Sequence, residues 1–219
     1  MPFSVEEIWR RIFVVHNAAK ALYLFAEEQG PGFKRLLQPD NEWKNSAEHI
    51  IRAKGRELNL TPAKEGQDNA KYIYDNLDAA LGHEYRAFYD TCDWVSICFR
   101  EMILNDLKVF DHETINAALP NYYSEIRPRI EKISQEISMI RCAKDIGDGE
   151  DILLQINKYK SLVEEIVSLY SDIRTKIPSL IDYKASRKKT ALGKKVYGII
   201  TLILAAGVGA FFEHLFHKQ

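Results

Sequence analysis

The chain has 219 residues, 46% of them hydrophobic and 28% charged, which is the composition of a folded globular protein rather than a disordered one. Its net charge of −1 conceals an asymmetry: residues 1–183 carry 23 basic and 30 acidic side chains, whereas seven basic residues and one acid follow from Lys184 onward. An acidic body argues against nucleic acid as a partner, and the change of sign predicts two different environments. Three cysteines are too few for a disulfide framework and favour a reducing compartment.

The beginning of the chain predicts helices, since it shows no alternating pattern of the kind typical of strands. Ser4 and Glu7 form a capping box that begins the first helix, and the glycines and proline of residues 30–32 end it. A second helix is expected over residues 41–58. The N-terminus lacks the basic and apolar regions of a signal peptide, so no signal peptide is expected.

A third helix is predicted to begin just after the second. Thr61 and Pro62 have the residue types of an N-cap and a first-turn proline, and the helical pattern continues towards Asp106. This stretch is rich in aromatic residues, which is typical of a central core helix. Residues 1–110 are therefore predicted to form the helices of a bundle.

Two heptad patterns occupy residues 121–178. Apolar residues recur at alternating spacings of three and four, which is the seam of a coiled coil. Between the two runs the phase is lost at a turn containing Gly147 and Gly149, so the sequence predicts an antiparallel coiled-coil hairpin whose second helix ends at Pro178. The residues of the two seams are Ile126, Ile130, Ile133, Ile137 and Ile140, then Ile152, Ile156, Tyr159, Val163, Ile166, Tyr170, Ile173 and Ile177.

The C-terminal segment predicts a single transmembrane helix over residues 196–216. Residues 196–212 contain no charged side chain, and a bilayer core requires roughly 17 to 25 apolar helical residues. The alternative is a helix buried in the protein core, which is the favoured interpretation of shorter apolar runs. With residues 1–183 as the helical body, the chain is expected to be tail-anchored.

A basic linker, residues 184–195, precedes this segment. Because positive side chains favour the cytoplasmic face, they place the body in the cytoplasm and make the protein single-pass. They are also expected to bind anionic lipid headgroups. The six basic residues are Lys184, Arg187, Lys188, Lys189, Lys194 and Lys195.

The predicted anchor contains small residues at a spacing that lets membrane helices approach one another. Ala205 and Gly209, and likewise Ala206 and Ala210, are four residues apart, which favours a homo-oligomer. Glu213 is an ionisable residue near the end of the anchor. It is expected either to line a polar assembly or to extend to the membrane surface.

One motif suggests catalysis. Arg11 and His16 are separated by four residues, and this spacing resembles the catalytic pattern of HEPN ribonucleases, small helical bundles that dimerise around it. The resemblance covers six residues, and Ile12 replaces the polar residue that usually follows the arginine. It implies that Arg11 and His16 would cooperate in cleaving RNA. The alternative is an exposed arginine and a partly buried histidine.

No further signature of enzymes, cofactors or metals is present. The sequence has no phosphate-binding glycine loop and no metal-binding histidine motif. His49, His83 and His112 each stand beside acidic residues and are expected to be solvated or to cap helices. No cofactor and no metal ion are therefore expected.

These patterns favour a non-enzymatic, tail-anchored membrane protein. Its helical body would bind a partner or signal that the sequence does not identify, and it would oligomerise at the membrane, as a membrane-permeabilising effector of the defence type does. Two alternatives are a membrane-tethered HEPN-like ribonuclease that uses Arg11 and His16, and a passive coiled-coil adaptor or tether.

Overall fold

The computed structural model describes residues 3–30, 36–63, 65–143 and 152–216, of which residues 141–143, 152–153 and 205–216 are described by their backbone alone. Within these ranges the chain forms six α-helices, one π-helical turn and no strand, so the predicted all-α class is confirmed. In chain order the elements are α1 (Val5–Gln29), α2 (Leu37–Glu57), α3 (Asn69–Leu107), α4 (His112–Ala118), the π-helical turn (Tyr122–Ile126), α5 (Arg127–Ala143) and α6 (Ile152–Phe216).

The α3 helix is the centre of the bundle, as its aromatic content predicts. It packs against α1, α2, α5 and α6, and its buried side chains extend over its whole length. Phe88 and Val95 are completely buried on it. Where α1 ends, the Cβ of any other residue at Gly30 would lie 2.3 Å from the ring of Trp94, so glycine is required for this close approach.

The first helix begins as predicted, but the third does not. Ser4 Oγ accepts a hydrogen bond from the Glu7 amide at 3.1 Å, which confirms the N-cap of α1. The prediction that Thr61 and Pro62 begin the third helix is wrong, because Asp68 is the N-cap. Its carboxylate accepts from the first free amides of α3, at 2.9 and 3.3 Å, and so stabilises the later start.

The isoleucine seams of residues 121–178 lie in the core. The α5 helix packs against α6, and α6 also packs against α3 and α4. Arg129 donates two hydrogen bonds to the carboxylate of Glu165, each 2.5 Å long. The two residues lie at similar distances from the turn, as expected for neighbours in an antiparallel pair of helices. Seam residues with 8% or less exposure are Ile133, Ile137, Ile140, Ile156, Tyr159, Val163, Ile166, Tyr170 and Ile173. Ile152 lies outside the described side chains.

The prediction that Pro178 ends the second seam helix is wrong. The helix continues through Pro178 and through the predicted linker of residues 184–195 to Phe216. Proline removes one intrahelical hydrogen bond, but Pro178 is exposed, so water can satisfy the carbonyl that loses its partner. A single helix therefore joins the bundle to the apolar C-terminal segment.

The structure describes the side chains of only part of the predicted transmembrane helix. Among the residues whose side chains are described, no helix has an apolar stretch long enough to cross a membrane. Those residues include 196–204, whereas the side chains of residues 205–216 lie outside them.

Candidate functional site where the last helix leaves the bundle

The α6 helix leaves the core shortly after Pro178. Leu180 is completely buried, whereas Ile181 is 54% exposed and Leu192 is 64% exposed. Two basic side chains beyond Leu180 form hydrogen bonds with the body. Polar interactions therefore contribute to the position at which α6 leaves the bundle.

The first of these, Arg187, is held by two acidic residues of α4 and its cap, and we call this group the α4 clamp. Arg187 Nη1 donates to both carboxylate oxygens of Asp111, at 2.9 and 2.8 Å, and Nη2 lies 2.8 Å from Glu113 Oε2. All three side chains are partly exposed, so each ion pair alone contributes little to the stability of the fold. Together they fix α4 to the basic part of α6.

The second basic contact lies one turn earlier on α6. Lys184 Nζ donates to the carbonyl oxygen of Val109 at 2.5 Å and lies 5.4 Å from the centre of the Phe110 ring. Val109 and Phe110 both belong to the segment that joins α3 to α4. This contact and the α4 clamp hold that connection against α6 over a full helical turn.

Asp111 has a second role as the N-cap of α4. Its Oδ1 accepts from the Thr114 amide at 2.8 Å. The hydrogen bond from the Thr114 backbone, followed by those from the Thr114 side chain and Arg187, lowers the pKa of Asp111 below its ordinary value of 3.8. The ionised carboxylate therefore stabilises the folded arrangement of α4.

Acidification is expected to loosen α4. Because the pKa of Asp111 is lowered in the folded protein, its stabilising effect is fully present above pH 3.8 and is lost as the pH falls through the lower folded value. NMR should show the chemical shift of the Thr114 amide changing in that range, and its protection relative to the intrinsic exchange rate at each pH decreasing. In Asp111→Asn, whose amide oxygen still caps the helix but cannot ionise, this signal should be independent of pH. Identical pH profiles in the two proteins would contradict the role assigned to Asp111.

The remaining predicted headgroup residues are exposed. At 1.5 Å of rise per residue, Lys194 and Lys195 lie within about 3 Å of Val196 along the helix, whereas Lys184 lies about 18 Å from it. Lys188 and Lys189 lie between these positions. The six predicted residues thus separate into two that contact the bundle, Lys184 and Arg187, and four that extend into solvent.

Apolar side chains follow directly after the exposed lysines. Within the described part of this segment, large apolar residues are between 48% and 74% exposed, and they are interrupted by Gly198 and Thr201 but by no charged side chain. They are Val196, Tyr197, Ile199, Ile200, Leu202, Ile203 and Leu204. The predicted self-association residues Ala205, Ala206, Gly209, Ala210 and Glu213 lie outside the described side chains.

Arg11 and His16, the pair that resembles the HEPN pattern, have different partners. Arg11 Nε donates to Glu7 at 2.9 Å, and its guanidinium lies 4.1 Å from the centre of the Phe3 ring. His16 Nδ1 lies 3.1 Å from Oε2 of Glu84, a carboxylate that also accepts from Ser46 at 2.7 Å. Residues five apart on a helix point about 140° from each other, which explains the difference.

A second polar cluster joins α2 to α3. Glu42 Oε2 accepts a hydrogen bond from Arg86 Nε at 2.8 Å and forms a second hydrogen bond with His83 Nδ1 at 2.7 Å. Burial opposes ionisation of Glu42, but these hydrogen bonds outweigh it and lower the pKa of its carboxyl group. The rings of His49 and His83 stack with 5.4 Å between their centres. These histidines therefore connect helices, a role that their separate positions in the sequence do not reveal.

In the part of the chain that the structure describes, no group of three or more histidine, cysteine or acidic side chains is arranged to hold a metal ion. Comparison with protein-family models, with curated proteins and with solved structures finds no match for this chain.

The acids of the α4 clamp were not identified from the sequence. Asp111 precedes Thr114 by three residues, which is a usual N-cap spacing and could have indicated the start of a short helix. Arg187 lies 76 residues from Asp111, and no local pattern in the sequence reports a pairing over such a distance.

Proposed function

We propose that the protein is a non-enzymatic, tail-anchored membrane protein whose helical body binds a partner or signal in the cytoplasm. The supporting observation is the run of exposed apolar side chains after Val196, on a helix continuous with the bundle. A helix segment that is mostly apolar and carries no charge requires either a protein core or lipid around it. The described part of the bundle does not cover these residues, so lipid is the environment we assign to them.

The exposed lysines support the orientation of this anchor. Lys194 and Lys195 directly precede the apolar segment, at the depth where lipid phosphates lie, and Lys188 and Lys189 follow within two turns towards the body. Lys184 and Arg187 stabilise the exit of α6 instead. Anionic lipid would therefore be bound by the four exposed lysines.

Self-association is assigned to the second half of the anchor. The small residues at four-residue spacing, Ala205 with Gly209 and Ala206 with Ala210, would let two anchors approach closely in lipid. Glu213 would line the assembly if several anchors meet. In this proposal the assembled anchors permeabilise the membrane, as in a defence-type effector.

Comparison of the full chain with a truncation ending at Lys195 tests the proposal. The full chain is expected in the membrane fraction as an oligomer of defined mass in detergent, and its expression is expected to depolarise cells. The truncation should lose all three properties. A full chain that is monomeric and soluble without detergent would refute membrane anchoring. An anchored chain that does not depolarise cells would instead favour the passive tether.

The same assay addresses the ribonuclease alternative. Arg11→Ala and His16→Ala are expected to leave depolarisation unchanged, because neither side chain belongs to the anchor. If toxicity instead survives the truncation and disappears in both substitutions, the ribonuclease would replace the membrane effector. Intact cellular RNA during expression of the full chain is the expected control result.

A further inference from the structure

We propose that the cleft between α3, α4 and α5 binds a flat aromatic small molecule that carries one negative charge. The cleft has a volume of about 860 Å³, within the range of small-molecule sites. This inference rests on the proposed function only in treating the ligand as the signal that the body receives. Binding itself does not depend on the membrane.

The floor of the cleft is apolar and consists of core residues. Ile103 is 1% exposed, Leu107 and Ile115 are 4% exposed, and all three line the cleft. The α3 and α5 helices make little contact with each other, and residues of both line the open space between them. A hydrophobic ligand would therefore displace water from an existing surface without rearranging the core.

One wall of the cleft is aromatic. The rings of His112 and Tyr123 are stacked with 4.7 Å between centres and 21° between planes, and Tyr122 meets Tyr123 edge to face at 4.9 Å. The two tyrosines lie in the π-helical turn, whose Ile126 amide donates to the Asn121 carbonyl at 3.2 Å. Such turns are rare and occur frequently at functional sites. His112 is exposed at the outer side of this stack, where a planar ligand would extend it.

The charged groups around the cleft favour an anion. Arg100, Lys108 and Arg127 line it, against the two acids Glu101 and Glu131. Arg127 Nε donates to Glu131 at 3.0 Å, so one acid is already paired on the rim. The excess of one positive charge matches a ligand with one negative group.

The cleft adjoins the exit of α6. Phe110 lines the cleft and lies beneath Lys184, Asp111 belongs to the α4 clamp, and His112 again lines the cleft. A bound ligand would therefore contact the residues on both sides of Asp111. This places the cleft where the arrangement of α4 can respond to occupancy.

Three naphthalene derivatives of similar size test the charge preference. We would titrate 2-naphthalenesulfonate, 2-naphthalenemethanol and 2-naphthyltrimethylammonium into the full chain in nanodiscs by calorimetry, with empty nanodiscs subtracted. The sulfonate is expected to bind once per chain and about tenfold more tightly than the neutral compound, since a hydrogen bond to a charged group contributes about that factor. Equal affinities for the three compounds, or no saturable binding, would refute the inference.

Substitutions at the rim test the location without disturbing the core. Leu104 is 63% exposed at the mouth of the cleft, and Ile51 is 69% exposed on α2, so Leu104→Trp and Ile51→Trp are matched in exposure. Only Leu104→Trp is expected to weaken sulfonate binding, by about tenfold, because the indole would occupy the mouth. If both variants bind as the unmodified protein does, the sulfonate binds elsewhere and the assignment fails.

Substitutions of the rim ion pair test the anion contact in both directions. Arg127→Gln should reduce sulfonate affinity to that of the neutral compound. Glu131→Gln should increase it, because the guanidinium loses its competing carboxylate. If Arg127→Gln binds the sulfonate more tightly than Glu131→Gln does, the role of Arg127 is refuted. Sulfonate binding by a chain that fails to associate with membranes would refute the proposed function and leave this inference intact.

Discussion

Leu204→Arg is expected to move the protein from the membrane fraction to the soluble fraction. Leu204 is 64% exposed on α6 and lies close to the middle of the predicted anchor. An arginine near the centre of a membrane helix costs about 3 kcal/mol and replaces a residue that favours insertion, so the insertion equilibrium should fall more than about a hundredfold. Flotation of membranes on a density gradient, with detection of the chain in each layer, measures the change.

Leu192→Arg is the matched control for this substitution. Leu192 is also 64% exposed on α6, but it lies before the predicted anchor, among the basic residues. An added positive charge there should leave flotation unchanged or strengthen binding to anionic lipid. If the two variants float equally well, residues 196–216 are not inserted, and the anchor assignment is wrong.

The helical class and much of the core follow from local sequence patterns. Ile133 and Ile166 are buried because the heptad spacing places them on the inner side of α5 and α6. The N-cap at Ser4 was equally predictable, because the capping side chain and its amide partner are three residues apart. Such features need only neighbouring residues, and a single sequence contains that information.

Helix boundaries were not predictable where more than one local signal was present. Thr61 and Pro62 have the residue types of a helix start, yet Asp68 is the cap, because its carboxylate reaches two free amides. Pro178 usually ends a helix, but here it lies on an exposed side where its missing hydrogen bond costs little. In both cases the residue types at the expected boundary are compatible with two outcomes.

Only the basic residues of the candidate site were predicted from the sequence. These basic residues are evident in the sequence before the anchor. Which of them contact the bundle and which are exposed depends on the position of α4. Arg187 pairs with Asp111 and Glu113, whereas Lys194 and Lys195 extend into solvent beyond the bundle. A pairing between two parts of the chain that are 76 residues apart arises only from the fold.

Tyr159→Ala is expected to cause the largest loss of stability. Tyr159 is completely buried on α6, where its ring meets Phe88 edge to face at 6.4 Å and lies 5.7 Å from the ring of Tyr89. Its hydroxyl donates to Asp93. Removal of a buried aromatic ring should lower the free energy of unfolding by about 3–5 kcal/mol. Urea denaturation of the full chain in a mild detergent, followed by tryptophan fluorescence, measures it.

Two further variants separate the parts of this effect. Tyr159→Phe keeps the ring and removes the hydrogen bond to Asp93, so it should cost about 1–3 kcal/mol. Tyr197→Ala removes the same ring from a position that is 74% exposed, and it should change the free energy of unfolding by less than about 0.5 kcal/mol. A similar loss in Tyr159→Ala and Tyr197→Ala would contradict the packing of α6 on α3.

The membrane fraction of Tyr159→Ala distinguishes the two ends of α6. Tyr159 stabilises the bundle, whereas the proposed anchor begins 37 residues later on the same helix. Because lipid, rather than the bundle, would stabilise the anchor, the destabilised variant should still float with membranes as Leu192→Arg does. The loss of stability in Tyr159→Ala is expected to be confined to the body. The cleft between α3, α4 and α5 would therefore bind its ligand less tightly in this variant. A variant that instead left the membrane would show that insertion requires the folded bundle.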